Sequence, residues 1–123
     1  MKRILCYGDS ITWGCDPETG KRFDEQTRYP RVLGTLLGTA YDVIEEGCGG
    51  RTTVYDTGVD HYVNGRTYLY PCLESHQPLD LIVLMLGSND LANGAKKNAY
   101  YAAAGAQRLI WLIRHWALDR HVN

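Results

Sequence analysis

"LDLIVLMLGSND", residues 79 to 90, is the stretch whose reading decides the fold. From Leu81 to Leu86 every side chain is apolar. A strand with one wet face alternates, whereas an unbroken apolar run bounded by turn residues suits a parallel strand covered on both faces. Residues 81–86 therefore read as the central strand of a parallel sheet, and the polar "GSND" that follows reads as the turn at its carboxyl end.

The chain on either side supports a parallel sheet. "RILCYG", residues 3–8, has strand composition and stops at glycine, and residues 9–27 are polar and turn-rich. Tyr29, Val32, Leu33, Leu36 and Leu37 then recur at helical spacing, with Pro30 suited to a first turn and Gly38 to a stop. "AYDVIEEG", residues 40–47, alternates enough for a strand near a sheet edge. Residues 55–67 read as a long loop and 68–76 as a short helix. After Asp90 the period turns helical again, placing Ala102, Ala106, Leu109, Ile110, Ile113, Trp116 and Ala117 on one face and Tyr100, Ala104, Trp111 and Leu118 on the other. Strand and helix alternating three times is the pattern of a doubly wound α/β sheet, whose sites form beyond the carboxyl ends of the strands.

Composition narrows the function. At 123 residues one domain, 1–123, with one core is expected. Hydrophobic residues at 45% against 22% charged exclude a disordered chain. A formal charge of -1 with scattered basic residues gives no footprint for nucleic acid or an anionic membrane. The apolar stretch after "MKR" is broken at Gly8 and Asp9, too early for a secretory segment, so the chain reads as cytoplasmic. Cys6, Cys15, Cys48 and Cys72 form no Cys-x-x-Cys pair and no metal spacing with His61, His76, His115 or His121. Reduced, mostly buried thiols and no metal are expected.

Three polar motifs sit where the strands end: "GDS" at 8–10, "GCGGRTT" at 47–53 and "GSND" at 87–90. A serine hydroxyl needs a base to become a nucleophile, and the oxyanion formed on attack needs donors placed in advance. Ser10 is the candidate attacker; its own N–H, that of Gly50 and the Asn89 amide are three candidate donors. Each also has a plain alternative: Ser10 as a helix cap, Gly50 as a positive-φ hinge, Asn89 as an Asx turn.

"GDSITWG" at 8–14, "EEGCGGRTT" at 45–53 and "LGSND" at 86–90 resemble the first three sequence blocks of the GDSL-type SGNH hydrolases, most nearly the bacterial arylesterase and acyltransferase branch. The resemblance implies a flavodoxin-like three-layer α/β/α fold around a parallel sheet. It implies ester cleavage or acyl transfer through an acyl-enzyme, with Ser10 as nucleophile, Gly50 and Asn89 completing the oxyanion hole, a small-molecule ester as substrate and no cofactor. Asp9 and Asp90 would hold their turns. Asp9, Trp13, Arg51 and the loop around Tyr62 are the candidates beside the acyl or alcohol group, with packing the alternative for Trp13 and a solvated charge for Arg51.

One block is missing. The family's base lies in an Asp-x-x-His near the carboxyl end, and none of the nine Asp residues here has His three positions later. "DRH" at 119–121 is one residue short. The sequence thus resembles the amino-terminal portion of such an enzyme, ending after the third strand and its helix, and with a 2-1-3 strand order the third strand lacks an outer neighbour. The expectation is that the natural chain continues after Asn123, that a second polypeptide completes the sheet, or that copies associate through that edge into a homo-oligomer. The alternative reading is a non-catalytic binding or assembly module.

Overall fold

The computed structural model describes residues 1–58, 61–92 and 94–120. It divides into two compact units, one of Met1–Arg51 with Ser75–Leu86, the other of Thr52–Glu74 with the chain from Gly87 onward.

The first unit is built on three parallel strands, β1 (Lys2–Gly8), β2 (Tyr41–Gly47) and β3 (Leu81–Met85), in the order β2-β1-β3. Gly8 pairs with both Gly47 and Met85, so all three strands finish on the same rim. Alternation along β1 sends Ile4 and Cys6 to one face, where Val43, Tyr29 and Leu33 pack on them, and Leu5 and Tyr7 to the other; all four are buried. Each such large apolar side chain contributes roughly 1.5–3 kcal/mol relative to exposure. Burial also pushes the Cys6 thiol above its ordinary value.

The order β2-β1-β3 is the 2-1-3 order expected from the sequence, with β1 between the other two described strands. Among the described residues β3 pairs only with β1, and Leu81 and Met85 are 54% and 41% exposed. Apolarity reports the environment a strand suits, not which neighbours it has.

Helix α1 (Ser10–Trp13) follows β1 directly, inside the segment read as polar and turn-rich, and α2 (Tyr29–Leu37) packs on β2. Pro30 opens α2 and Gly38 closes it at φ 87°, as its sequence implied. Arg3 fixes the return into β3. Its guanidinium donates to the His76 and Pro78 carbonyls at 2.9 Å each and to Asp42 at 2.6 Å, while its N–H donates to Asp80 at 2.8 Å.

In the second unit, helix α3 (Gly65–His76; Ser75 and His76 count with the first unit) starts earlier than the sequence suggested. The reason is Asn64: its Oδ1 accepts the Arg66 N–H at 3.0 Å, while its Nδ2 donates to the Val54 carbonyl at 3.1 Å. A short 3-10 turn, His61–Val63, interrupts what read as loop. Helix α4 (Ala99–Asp119) is capped by Asn98, whose side chain accepts the Tyr101 N–H. Its buried line is Gly105, Leu109, Leu112 and Trp116; Ile110, expected inside, is 46% exposed. The other six residues expected on that face are buried or half-buried, and α4 comes close to Thr53 at Gly105, where an added Cβ would clash with Thr53 Oγ1. No helix among the described residues is long and apolar enough to cross a membrane.

Candidate active site

Ser10 stands two residues past the last paired residue of β1 and opens α1, half-buried. The preceding Asp9 is 2% exposed, and its Oδ1 accepts the Ile11 N–H at 3.0 Å, closing the turn. Burial raises the Asp9 carboxyl above its ordinary value, against the Ile11 hydrogen bond and the Arg51 charge, which pull it down. Its ionised form therefore costs stability at neutral pH, and the contribution of a protonated Asp9 is lost as pH rises through the raised value. Its hydrogen bond and burial suit the turn-holding role that the resemblance implied for it.

Two glycines make this turn possible. A Cβ on Gly47 would sit 2.1 Å from the Trp13 nitrogen, and one on Gly8 would sit 2.0 Å from Thr12 Oγ1. The main chain of α1 therefore lies directly across the ends of β1 and β2. Thr12, fully buried, shares a 2.9 Å hydrogen bond with the Tyr29 hydroxyl, anchoring α1 to α2. Trp13 is half-buried, with Arg22 5.3 Å from its ring centroid and the Arg22 Nε donating to its carbonyl at 2.8 Å.

Gly50 occupies the turn after β2 at φ 79°, a conformation glycine adopts without strain. The turn is tied to the end of β1: Cys48 N–H donates to the Gly8 carbonyl at 3.1 Å, and Arg51 N–H to the Cys48 carbonyl at 3.1 Å. Arg51 is 4% exposed, so the reading of a solvated charge is corrected. Its Nη1 donates to the Gly8 carbonyl at 3.0 Å and the Glu46 carbonyl at 2.7 Å, and its guanidinium lies 4.2 Å from the Tyr7 ring centroid. Beside it, the Glu46 carboxylate meets His76 Nε2 at 2.7 Å, so His76 has a structural partner.

In the second unit Asn89 lies in a 3-10 turn, Ser88–Asp90, and is half-buried. Its neighbour Asp90 is fully buried. Asp90 Oδ1 accepts the Thr53 N–H at 2.9 Å and Oδ2 accepts the Thr53 hydroxyl at 2.5 Å. The "GSND" turn is thereby pinned to the last threonine of "GRTT". Thr53 and Thr12 are the residues that reading the sequence for function passed over; both stand inside the quoted motifs, but a threonine carries no signal of its own until its partner is known. Tyr62, from the middle connection, is 62% exposed. His121 lies outside the described residues, and His115 stands on the exposed side of α4, stacked on Trp111 with ring centroids 3.6 Å apart.

A groove of about 530 Å³ in the first unit is lined by residues of α2 and the start of β2, among them Arg31, Leu36, Tyr41 and Val43. It opens at the amino end of β2, the rim opposite Ser10, and is not the place for chemistry at the serine.

A family model described as GDSL-like lipase/acylhydrolase matches residues 6–122. Among solved structures, a carbohydrate acetylesterase family member from Sinorhizobium meliloti is 47% identical, with a TM-score of 0.86 over 93% of this chain and 54% of its own. The native aryl esterase of M. smegmatis is 44% identical, with a TM-score of 0.82 over 87% of this chain and 52% of its own. The chain thus spans about half the length of the structures it matches. They carry the same kind of fold, a parallel sheet with helices. A comparison with curated proteins finds no match.

Proposed function

Because the chain belongs to the GDSL-like lipase/acylhydrolase family, we propose that it serves carboxylic ester hydrolysis, with Ser10 as the nucleophile. The observation that carries this reading is the turn after β1: a half-buried serine in a turn that Asp9 closes onto the Ile11 N–H, next to a glycine turn that is hydrogen-bonded to Gly8. The Ser10 and Gly50 N–H groups are assigned as oxyanion donors, and Asn89 is assigned the third from its place in the "LGSND" block. On attack the Ser10 proton passes to a base, the Oγ–carbon bond forms, and collapse expels the alcohol, which takes that proton. Water then cleaves the acyl-enzyme. An alcohol in place of water gives acyl transfer by the same step.

The base is assigned to an Asp-x-x-His segment, which this sequence does not contain. Without it, a well-formed oxyanion hole and binding leave on the order of 10³–10⁴ over water. The relatives named as carbohydrate acetylesterase and aryl esterase favour short acyl groups on a sugar or aromatic alcohol as substrates. A fluorophosphonate tests the reading: peptide mapping is expected to find the adduct on Ser10 and none in Ser10→Ala. No adduct even with the carboxyl-terminal half of the Sinorhizobium relative added in trans refutes it.

A second reading, assembly into a homo-oligomer or with another chain, is favoured by the outer side of α4, where Tyr100, Trp111 and Leu118 are 76%, 46% and 68% exposed. Sedimentation as one monomeric species removes it.

A further inference from the structure

We propose that Arg51 is a positioning residue for the reaction: it sets the spacing between the Ser10 and Gly50 main-chain donors and does not bind substrate. This inference rests on the roles given to Ser10 and Gly50 above.

The geometry is a closed circuit. Arg51 directly follows Gly50, so its main chain fixes one side of the Gly50 peptide. Its side chain turns back and spends the two hydrogens of Nη1 on two strand ends, the Gly8 carbonyl of β1 and the Glu46 carbonyl of β2. Gly8 is two residues before Ser10. The same Gly8 carbonyl also accepts the Cys48 N–H, and the Cys48 carbonyl accepts the Arg51 N–H. The end of β1 and the Gly50 turn are therefore joined twice, once through the main chain and once through a guanidinium, with Tyr7 as a floor beneath it.

This arrangement needs an arginine. A planar fork can bridge two carbonyls and stack on a ring together, whereas an ammonium is a compact point charge that does not hold the same plane. At 4% exposure, with both Nη1 hydrogens committed, the side chain is not presented to a substrate. What it controls is distance. An oxyanion donor works at about 2.7–3.1 Å from the developing charge, and a misplacement of about 1 Å can cost on the order of 10²-fold in rate.

The test compares the parent chain with Arg51→Lys and Arg51→Gln, reading phosphonylation of Ser10 against fluorophosphonate concentration with the carboxyl-terminal half of the Sinorhizobium relative added in trans, and main-chain amide exchange by NMR. In Arg51→Lys the maximal labelling rate is expected to fall on the order of 10²-fold, with the half-saturating concentration changed less than about twofold. Arg51→Gln, neutral and shorter, falls further. Amide exchange quickens at Cys48 and Arg51 and is unchanged along the β1–β2 ladder. A weakened half-saturation at full maximal rate would make Arg51 a substrate ligand and overturn the proposal. General loss of protection across the sheet makes its role merely structural and overturns it too. If the parent fails to label even with the carboxyl-terminal half of the Sinorhizobium relative added in trans, while Cys48 and Arg51 exchange faster in the variants, the hydrolase reading falls and the lock between the turns stands. Unchanged exchange sinks the lock whatever the labelling shows.

Discussion

Replacing Thr53 by valine isolates the contact that holds the "GSND" turn. The side chain keeps its shape and loses only the hydroxyl, so the hydrogen bond to Asp90 Oδ2 at 2.5 Å disappears while the one from the Thr53 N–H at 2.9 Å remains. Both residues are fully buried, so water does not replace the missing donor without opening the unit. A hydrogen bond to a charged group is worth about 1.5–3 kcal/mol. The added methyl returns little of this, because it faces a carboxylate and not an apolar wall. For a chain of 123 residues, between the size classes in which 1 kcal/mol moves Tm by about 4–8 °C and about 2–4 °C, the expected fall is about 5–12 °C. Thermal unfolding followed by far-ultraviolet circular dichroism at neutral pH measures it, with Thr53→Ser, which keeps the hydroxyl, as the comparison. A Tm lowered by less than about 2 °C in Thr53→Val, or by as much in Thr53→Ser, refutes the argument that the hydroxyl carries the contact.

Other outcomes follow from the first unit. Gly47→Ala places a Cβ 2.1 Å from the Trp13 nitrogen, a main-chain atom that cannot swing aside. It should cost at least about 1–3 kcal/mol and shift the Trp13 environment, whereas Gly49→Ala, with nothing within 4 Å, should do neither; equal denaturant midpoints for the two would contradict this. Glu45 is pushed up by its burial, but the Arg28 hydrogen bonds and charge, with Arg22 and Arg31, outweigh that and leave its carboxyl below the ordinary value. A lowered carboxyl adds stability that is present above its unfolded value and lost as pH falls through its folded one. Urea titrations across the acid range should therefore show a steeper acid limb in the parent than in Glu45→Gln, and parallel limbs would refute the assignment.

The sequence made α2 and β2 legible almost to the residue, because Pro30, Gly38 and Gly47 mark their ends by local geometry that needs no partner. The strand identity of residues 81–86 was equally plain, and the 2-1-3 order put it beside β1; its apolarity alone does not name the strand beside it. The α4 face was read correctly at Leu109 and Trp116 and missed at Ile110, which is exposed; Gly105, buried beside Thr53, could not be read, because a glycine adds nothing to a hydrophobic pattern. At the site, Ser10, Gly50 and Asn89 stood out as motif members. The burial of Arg51 did not, for it depends on carbonyls 43 and 5 residues away in the chain. The Asp90–Thr53 contact, spanning 37 residues, was hidden for the same reason.

Glu45 also has a consequence for the order in which the molecule is made. Arg28 donates to both its oxygens, at 2.8 and 3.2 Å, and Arg22 and Arg31 approach it at 3.6 and 3.8 Å. All three cations precede it in the chain, so the ion pairs that tie Arg22 and Arg28, in the excursion from Gly14 to Arg28, to the sheet form only when β2 arrives. Closing that loop costs entropy that only the later strand repays. The excursion is accordingly a late-ripening part of the unit: in a refolding experiment with pulsed isotope exchange, Phe23 and Arg28, whose N–H groups bond to Gly14 and Asp24, should gain protection together with Tyr41–Gly47 and never ahead of it.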